Sequence, residues 1–416
     1  MSATVARHGG RPRHPRFGWL SLLAPLFVRV LDRLDARLQH GSIDATLPDG
    51  GRRLLGGRAP GPAAIVELRS WRALLRLVSG GSAGWYEAWA NGEWSSPDPV
   101  TLFELFVANR HALGDSARAG GIGRMTRRIM HGLRRNSRAG AKRNVQAHYD
   151  LGNDFYAAWL DGGLTYSSAM FAEPVAASEP LATAQTRKLA AILDRTNTAP
   201  GDAILEIGCG WGSFVAHAAN AGRTVHAITL SDKQLHHVSG KIASEMLPGA
   251  SVELRDYREI AGCYDAVVSI EMVEAVGQEY WPDFLKAVAA ALKPGGRAAL
   301  QFISIDDAIF EAYARNVDFI QAYVFPGGML LSEQRFRAAA ESAGLVWQDQ
   351  HRFGQHYAET LRRWRAAFDA AALQQRLPAS FNAERTALWR YYLMYCEGGF
   401  RGGGIEVSQV TLAKPA

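Results

Sequence analysis

No run of 18 or more apolar residues occurs in the 416-residue chain, so no membrane-spanning helix is expected. Cysteine is scarce. Cys209, Cys263 and Cys396 lie far apart, without the spacing of a disulfide framework or a metal site. That usage reads as a reduced, cytoplasmic protein with no bound metal. Internal repeats are absent, which excludes solenoid and propeller architectures. The apolar stretch 17–28 follows Arg7, Arg11, Arg13 and Arg16 and imitates an export signal, but it lacks a small-residue cleavage site. Arg29 and Asp32 continue its helical pattern, so it reads as an amphipathic helix.

What is present is ample for large cores: 48% of residues are hydrophobic, and the length suits two or three domains. The net charge of +6 is unevenly spread. Residues 1–147 carry 23 basic and 10 acidic side chains, leaving an acidic remainder. A basic N-terminal third on an acidic body points to an anionic partner, either phospholipid headgroups or nucleic acid.

Residues 1–16, rich in Arg, Gly, His and Pro, read as a disordered tail. Residues 17–120 read as a smaller N-terminal α+β domain, with a strand at 64–68 and a helix at 71–78. Trp85, Trp89 and Trp94 crowd one short stretch and read as core. Residues 121–143 form a basic linker whose Ile122, Met125, Ile129 and Leu133 fall at helical spacing. From 144 to 416 strands and helices alternate, with strands expected at 203–207, 224–229, 251–255, 265–270 and 297–303. A helix is expected over 281–292, closed by the Lys293-Pro294-Gly295-Gly296 turn. Helical stretches and late strand pieces such as 405–412 follow. This rhythm predicts an α/β fold with a doubly wound, mostly parallel, Rossmann-like sheet, whose ligands bind over the carboxyl ends of the strands.

The run Ile204-Leu205-Glu206-Ile207-Gly208-Cys209-Gly210-Trp211-Gly212 carries the most information. It reads as an apolar strand that stops in glycines, with a helix starting at Ser213. Such a turn places bare backbone N–H groups beside a nucleoside-like ligand. Glu206 ahead of the glycines argues against a pyrophosphate and for a cationic ligand such as S-adenosylmethionine. The second strand ends without the ribose-binding acid that many such sheets carry. Thr229, Ser231 and Gln234 offer neutral hydrogen bonds there instead. Asp256 and Tyr257 suit an adenine amino group and ring. Glu271 and Glu274 place two carboxylates where substrate would enter; at helical spacing they would share one face.

Several separate motifs now converge. They are Val145 to Tyr156, Leu164 to Phe171, Leu205 to Gly212, Thr229-Leu230-Ser231, Phe325-Pro326-Gly327-Gly328 and Tyr395 to Phe400. From about 144 onward the chain resembles the cyclopropane-fatty-acyl-phospholipid synthase family of S-adenosylmethionine-dependent methyltransferases. The N-terminal third matches more weakly, around Trp89 to Trp94. The resemblance implies a seven-stranded methyltransferase sheet and S-adenosylmethionine as cofactor. It implies contacts from Tyr166, Ser167, Glu206, Gly208, Cys209, Gly210, Gly212, Thr229, Leu230, Ser231, Gln234, Asp256 and Tyr257. It also implies methyl addition to a cis double bond of a phospholipid acyl chain, followed by proton loss that closes a cyclopropane ring. The family holds a bicarbonate ion as base; the matching positions are Ser168, Glu274, Gln301, Ile303 and Tyr357. Phospholipid is thereby selected over nucleic acid, with the enzyme peripheral at the inner face of a membrane; a homodimer stays open.

Four positions depart from the commoner pattern. Ser168 stands for cysteine, Gln301 for histidine, Ala275 for histidine and Glu271 for glycine. The last three match a plant-type branch that makes cyclopropanes, which Ser168 does not. Relatives that methylate without ring closure, giving methylene or methyl-branched chains, therefore stay in play. So do a small-molecule N-methyltransferase and a catalytically silent lipid- or cofactor-binding protein. Phe302, Ile303, Phe319, Ile320, Tyr323, Val324 and Phe325 are apolar and aromatic residues that an acyl tunnel could use.

Overall fold

The alternating apolar segments fold as two sheets joined through a common aromatic core. The structure, a computed structural model, describes residues 24–114 and 152–416. The expected tail at 1–16, the segment 17–23, the basic linker at 121–143 and the first residues of the 145–156 motif lie outside the described residues.

The N-terminal unit runs α1 (Ala24–Arg37), β1 (Ser42–Thr46), β2 (Arg52–Gly56), β3 (Ala63–Leu68), α2 (Arg72–Ala90), β4 (Trp94–Ser95), α3 (Pro99–Ala108) and α4 (Arg110–Leu113). Its sheet has the order β2-β1-β3-β4. β3 alternates exposed and buried residues along its whole length, so one face packs inward and the other meets solvent. The helix expected over 71–78 continues to Ala90 through a break at Gly81, whose φ of 58° and ψ of −142° are open to glycine. Trp85 and Trp94 are buried and stack at 4.4 Å, and the Trp94 indole donates to the Trp85 carbonyl at 2.9 Å. Trp85 and Trp94 are therefore core, and the partly buried Trp89 packs against it.

The second unit continues with α5 (Asn153–Ala157), α6 (Leu181–Thr196), β5 (Ala203–Ile207), α7 (Ser213–Asn220), β6 (Thr224–Thr229), α8 (Asp232–Ser244), β7 (Ala250–Leu254) and β8 (Tyr264–Ile270). Then come α9 (Trp281–Ala291), β9 (Leu292–Ile305), α10 (Asp307–Ala314), α11 (Phe319–Tyr323), β10 (Leu331–Ser332), α12 (Glu333–Ser342), β11 (Val346–Arg352), α13 (Gly354–Leu373), α14 (Ala383–Arg401) and β12 (Ile405–Ala413). Seven strands lie in the order β11-β12-β9-β8-β5-β6-β7, and the short β10 pairs with β9 as an eighth. β7, β6, β5, β8 and β9 are mutually parallel, and β12 runs antiparallel between β9 and β11. β5 is buried from Ile204 to Ile207, as a central strand covered on both faces must be.

One expected boundary moves. α9 ends at Ala291, and Leu292 already pairs with Tyr264, so the Lys293 to Gly296 turn is a bulge inside the β8–β9 ladder. Register then builds the site. Ile270 pairs with Gln301, and Gln301 pairs with Gln409, which lines up the end of β8 with two buried glutamines. The two units share aromatic packing, with Tyr86 4.8 Å from Phe319 and 5.0 Å from Tyr391. Arg110 also pairs with Asp306 at 2.8 Å across the contact. No helix among the described residues is long and apolar enough to cross a membrane.

Candidate active site

β5 ends at Ile207, and the chain turns through Gly208, Gly210 and Gly212 at φ of 83°, 53° and 80°. L-residues avoid this region, so the turn needs glycine. A Cβ at Gly208 would lie 2.6 Å from Met272 Cγ, while at Gly210 it would meet nothing within 4 Å. The loop thus opens onto a cavity at the carboxyl ends of the parallel strands. Of the residues expected at a cofactor, Tyr166, Ser167, Glu206, Gly208, Cys209, Gly210, Thr229, Leu230, Gln234 and Tyr257 line this cavity.

Three others stand behind the lining. Gly212 starts α7 against Val238. Ser231 caps α8 by accepting from the Gln234 N–H at 3.3 Å. Asp256 accepts from Arg258 Nε at 2.8 Å and Nη2 at 2.6 Å, so an adenine amino group would meet a carboxylate that already has a partner.

The electrostatics of the cavity suit a cation. Glu206 is 2% exposed, and its Oε2 is buried with no hydrogen-bond partner. Burial pushes its pKa up to about 8 against the pull of Lys188. Lys188 is itself fully buried and donates from Nζ to Ser167 Oγ at 2.6 Å. Burial brings its pKa down to about 8, opposed by Glu271, Asp161 and Glu206. An orphaned carboxylate oxygen beside bare glycine backbone fits a cationic nucleoside.

At the end of β8 the expected catalytic residues divide into two groups. Glu271 is gathered with Ser168, Gln301 and Tyr357. Its Oε1 accepts from the Ser168 backbone N–H at 2.8 Å and Gln301 Nε2 at 2.7 Å. Its Oε2 accepts from the Tyr357 hydroxyl at 2.7 Å. The Ser168 hydroxyl turns away and donates to the Ala169 carbonyl at 3.0 Å. Burial raises the Glu271 pKa, and these three donors oppose the rise. Glu271 holds φ at 49°, a rare conformation for a side chain of this size and one that clusters at functional sites.

Glu274 and Ile303 form the second group. The expected shared helix face is corrected by the backbone. Glu271 precedes a 3₁₀ turn at Val273–Ala275, and the two carboxylates take different partners. Glu274 Oε1 accepts from the Ile303 N–H, while Oε2 is buried without a hydrogen-bond partner. Burial first, and then the charge of Glu271, push the Glu274 pKa up to about 8.

The apolar residues split by strand alternation. Phe302 packs on Phe336 at 5.7 Å and Trp347 at 5.8 Å, in a different cluster from Ile303, so it does not belong with the others. Ile303, Phe319, Ile320, Val324 and Phe325 share a cluster with Tyr357, and Tyr323 stays 37% exposed. Four residues escaped the sequence reading: Lys188, Tyr392, Arg258 and Gln409. Tyr392 shares a hydrogen bond with Tyr166 at 2.9 Å. Lys188 had left a signal, because it lies with Ala184 and Ile192 on the buried stripe of an amphipathic helix.

The family model described as mycolic acid cyclopropane synthetase matches residues 136–410. Tuberculostearic acid methyltransferase UfaA1 of Mycobacterium tuberculosis is 36% identical over 359 residues, covering 82% of this chain and 80% of that protein. Cyclopropane-fatty-acyl-phospholipid synthase of Escherichia coli strain K12 is 30% identical over 371 residues, covering 86% of this chain and 90% of that protein. Among solved structures, mycolic acid cyclopropane synthase CmaA1, complexed with SAH and CTAB, is 31% identical. It superposes with a TM-score of 0.61, over 66% of this chain and 98% of that one.

Proposed function

The chain belongs to the mycolic acid cyclopropane synthetase family and is an S-adenosylmethionine-dependent methyltransferase. From that premise we propose that it methylates the cis double bond of an unsaturated phospholipid acyl chain. One observation carries the mechanism: a single carboxylate, Glu271, held by three donors in the lining of the cofactor cavity.

S-adenosylmethionine supplies an electrophilic methyl group when bound. Glu206, Ser167 and the 208–212 loop are the residues that would hold it. The alkene forms the new C–C bond and is left with a carbocation. Glu271, ionised and aimed by its three donors, steadies that charge and then takes the proton that leaves. A separate bicarbonate does not fit the residues present. Ser168, Gln301 and Tyr357 already serve the Glu271 carboxylate, and Ile303 pairs with Glu274. No step is therefore routed through bicarbonate. Tyr357 and Phe400, 4.4 Å apart, would present aromatic faces to the cation.

Proton loss from the new methyl closes a cyclopropane ring and is the leading outcome. Loss from the acyl chain instead leaves a methyl-branched chain that keeps its unsaturation, and a hydride shift to the cation followed by loss from the new methyl leaves a methylene group. Ser168 and the likeness to a tuberculostearic acid methyltransferase favour this second reading. Which carbon loses the proton depends on where the base sits.

We further propose that the chain forms two functional units, a catalytic one from 144 onward and an N-terminal one at 17–120. The basic N-terminal unit would dock the enzyme on the inner face of an anionic cytoplasmic membrane, where such acyl chains lie. The test is gas chromatography and mass spectrometry of lipids from a host that lacks modified acyl chains. Expression of the wild type should add 14 mass units to unsaturated chains, and Glu271→Gln should abolish the gain. An unmodified lipid profile with folded, cofactor-binding protein would refute the substrate.

A further inference from the structure

Behind Glu271 lies a line of side-chain amides. Gln409 on β12 is fully buried and sits directly opposite Gln301 on β9. Gln409 Nε2 donates to Gln301 Oε1 at 3.0 Å and to the Lys188 carbonyl at 3.3 Å. Gln409 Oε1 accepts from Arg195 Nε at 3.3 Å. Gln301 Nε2 in turn donates to Glu271 Oε1 at 2.7 Å and more loosely to the Ser168 carbonyl at 3.4 Å.

The polarity of this chain is fixed at both ends. A guanidinium only donates and a backbone carbonyl only accepts. A flipped Gln409 would set its NH₂ against Arg195 and its oxygen against the Lys188 carbonyl. A flipped Gln301 would set its oxygen against a buried carboxylate. Every link runs the same way, from Arg195 to Gln409 to Gln301 to Glu271.

We propose that Gln409 is a positioning residue for the reaction: it locks the Gln301 amide as a donor to Glu271 and so keeps that carboxylate ionised and aligned. This rests on Glu271 being the proton acceptor. Gln409 touches neither cofactor nor substrate; it acts through Gln301. The other groups facing Glu271 are Tyr357 from α13, Lys188 from α6 and Glu274 from the turn after β8. None of them contacts Gln409 through a side chain, so the effect of Gln409 can be isolated.

Near-isosteric variants separate polarity from packing. Gln409→Met removes the lock, whereas Gln409→Glu accepts where Gln409 donates and turns the Gln301 carbonyl toward Glu271. Methyl incorporation into unsaturated phospholipid would be followed at saturating S-adenosylmethionine from about pH 5 to pH 9, where an essential carboxylate sets the acid limb. Thermal melts and calorimetric cofactor binding would verify the fold. In Gln409→Met the acid limb should move up by about one unit, a tenfold loss on the acid side. Gln409→Glu should lose about tenfold more, and that extra loss should vanish in a Gln301→Met background. An unmoved limb in Gln409→Met, equal losses in both variants, or an extra loss that persists without Gln301 would each overturn the proposal. If Gln409→Glu fails to fold, the limb in Gln409→Met decides alone. Glu271→Gln serves as the separate check on the parent reading. Wild-type turnover there would sink the proton-acceptor role, whereas an inactive Glu271→Gln beside an unmoved limb would sink only the role of Gln409.

Discussion

Glu271 and Tyr357, 86 residues apart in sequence, meet at 2.7 Å with the phenol donating to the carboxylate. The contact joins the end of β8 to the first turn of α13 and leaves one Glu271 oxygen to Tyr357 and the other to Ser168 and Gln301. Tyr357→Phe removes one of three donors to a buried charge. A hydrogen bond to a charged group is worth about 1.5–3 kcal/mol, so turnover should fall about tenfold to a hundredfold. Cofactor affinity should stay within about twofold, because Tyr357 does not line the cofactor cavity. Glu274→Gln should also retain cofactor binding while losing most turnover. Steady-state kinetics beside calorimetry checks both; a matched loss of binding would move these residues into the cofactor site.

Gly208 tests the loop itself. Its φ of 83° and the 2.6 Å approach of a Cβ to Met272 leave no room for a side chain. Gly208→Val should cost the cofactor a hundredfold or more in affinity, about 3 kcal/mol. Equal binding by wild type and variant in calorimetry would mean that the loop backbone does not meet the ligand.

The sheet and the glycine turn were legible because both depend on local signals. β5 and β6 fell where apolar runs and turn residues placed them, since a central parallel strand must be apolar on both faces. The Glu271 and Glu274 relationship was misread because spacing of three assumes a continuous helix, while the φ of 49° at Glu271 reverses the chain there. The Gln301 to Gln409 contact had no local signal at all. It depends on β12 returning antiparallel beside β9, a register that a separation of 108 positions conceals. The expectation that Asp256 suits an adenine amino group passed over Arg258 two residues on, which the 3₁₀ turn at Tyr257–Glu259 folds back onto the carboxylate.

The N-terminal unit carries the membrane prediction. Leu54 and Ile65 are exposed and stand on either side of Asp44 across the outer face of the small sheet. Leu26, Leu75 and Val78 are exposed on its helices. With the excess of arginine in residues 1–147, this surface should bind anionic vesicles and not zwitterionic ones. Each Lys or Arg near such a surface contributes about 1 kcal/mol, and screening shortens from about 10 Å at 0.1 M salt to about 3 Å at 1 M. Sedimentation with phosphatidylglycerol vesicles should show binding that drops at high salt. Binding that ignores salt would assign the docking to the apolar residues; no binding would remove the membrane partner.

Cofactor binding should release a proton, and the sign follows from Glu206. Its carboxyl is buried, its Oε2 has no hydrogen-bond partner, and burial lifts its pKa to about 8. At pH 7 it is therefore mostly protonated before ligand arrives. A cation placed beside it favours the charged form and returns the pKa toward the ordinary carboxylate value of about 4.3. Binding at pH 7 then expels up to one proton, and affinity should rise with pH until about 8 and level off above it. Lys188, with a pKa of about 8, acts in the same direction: its charge repels the same cation below that pH, so the two groups together steepen the pH dependence. Calorimetry in buffers of different ionisation enthalpy counts the proton directly. Glu206→Gln should bind weakly and release fewer protons than the wild type. If the wild type binds S-adenosylmethionine at pH 7 with no buffer dependence, Glu206 is already ionised in the free enzyme, and its orphaned oxygen is not the cation's partner.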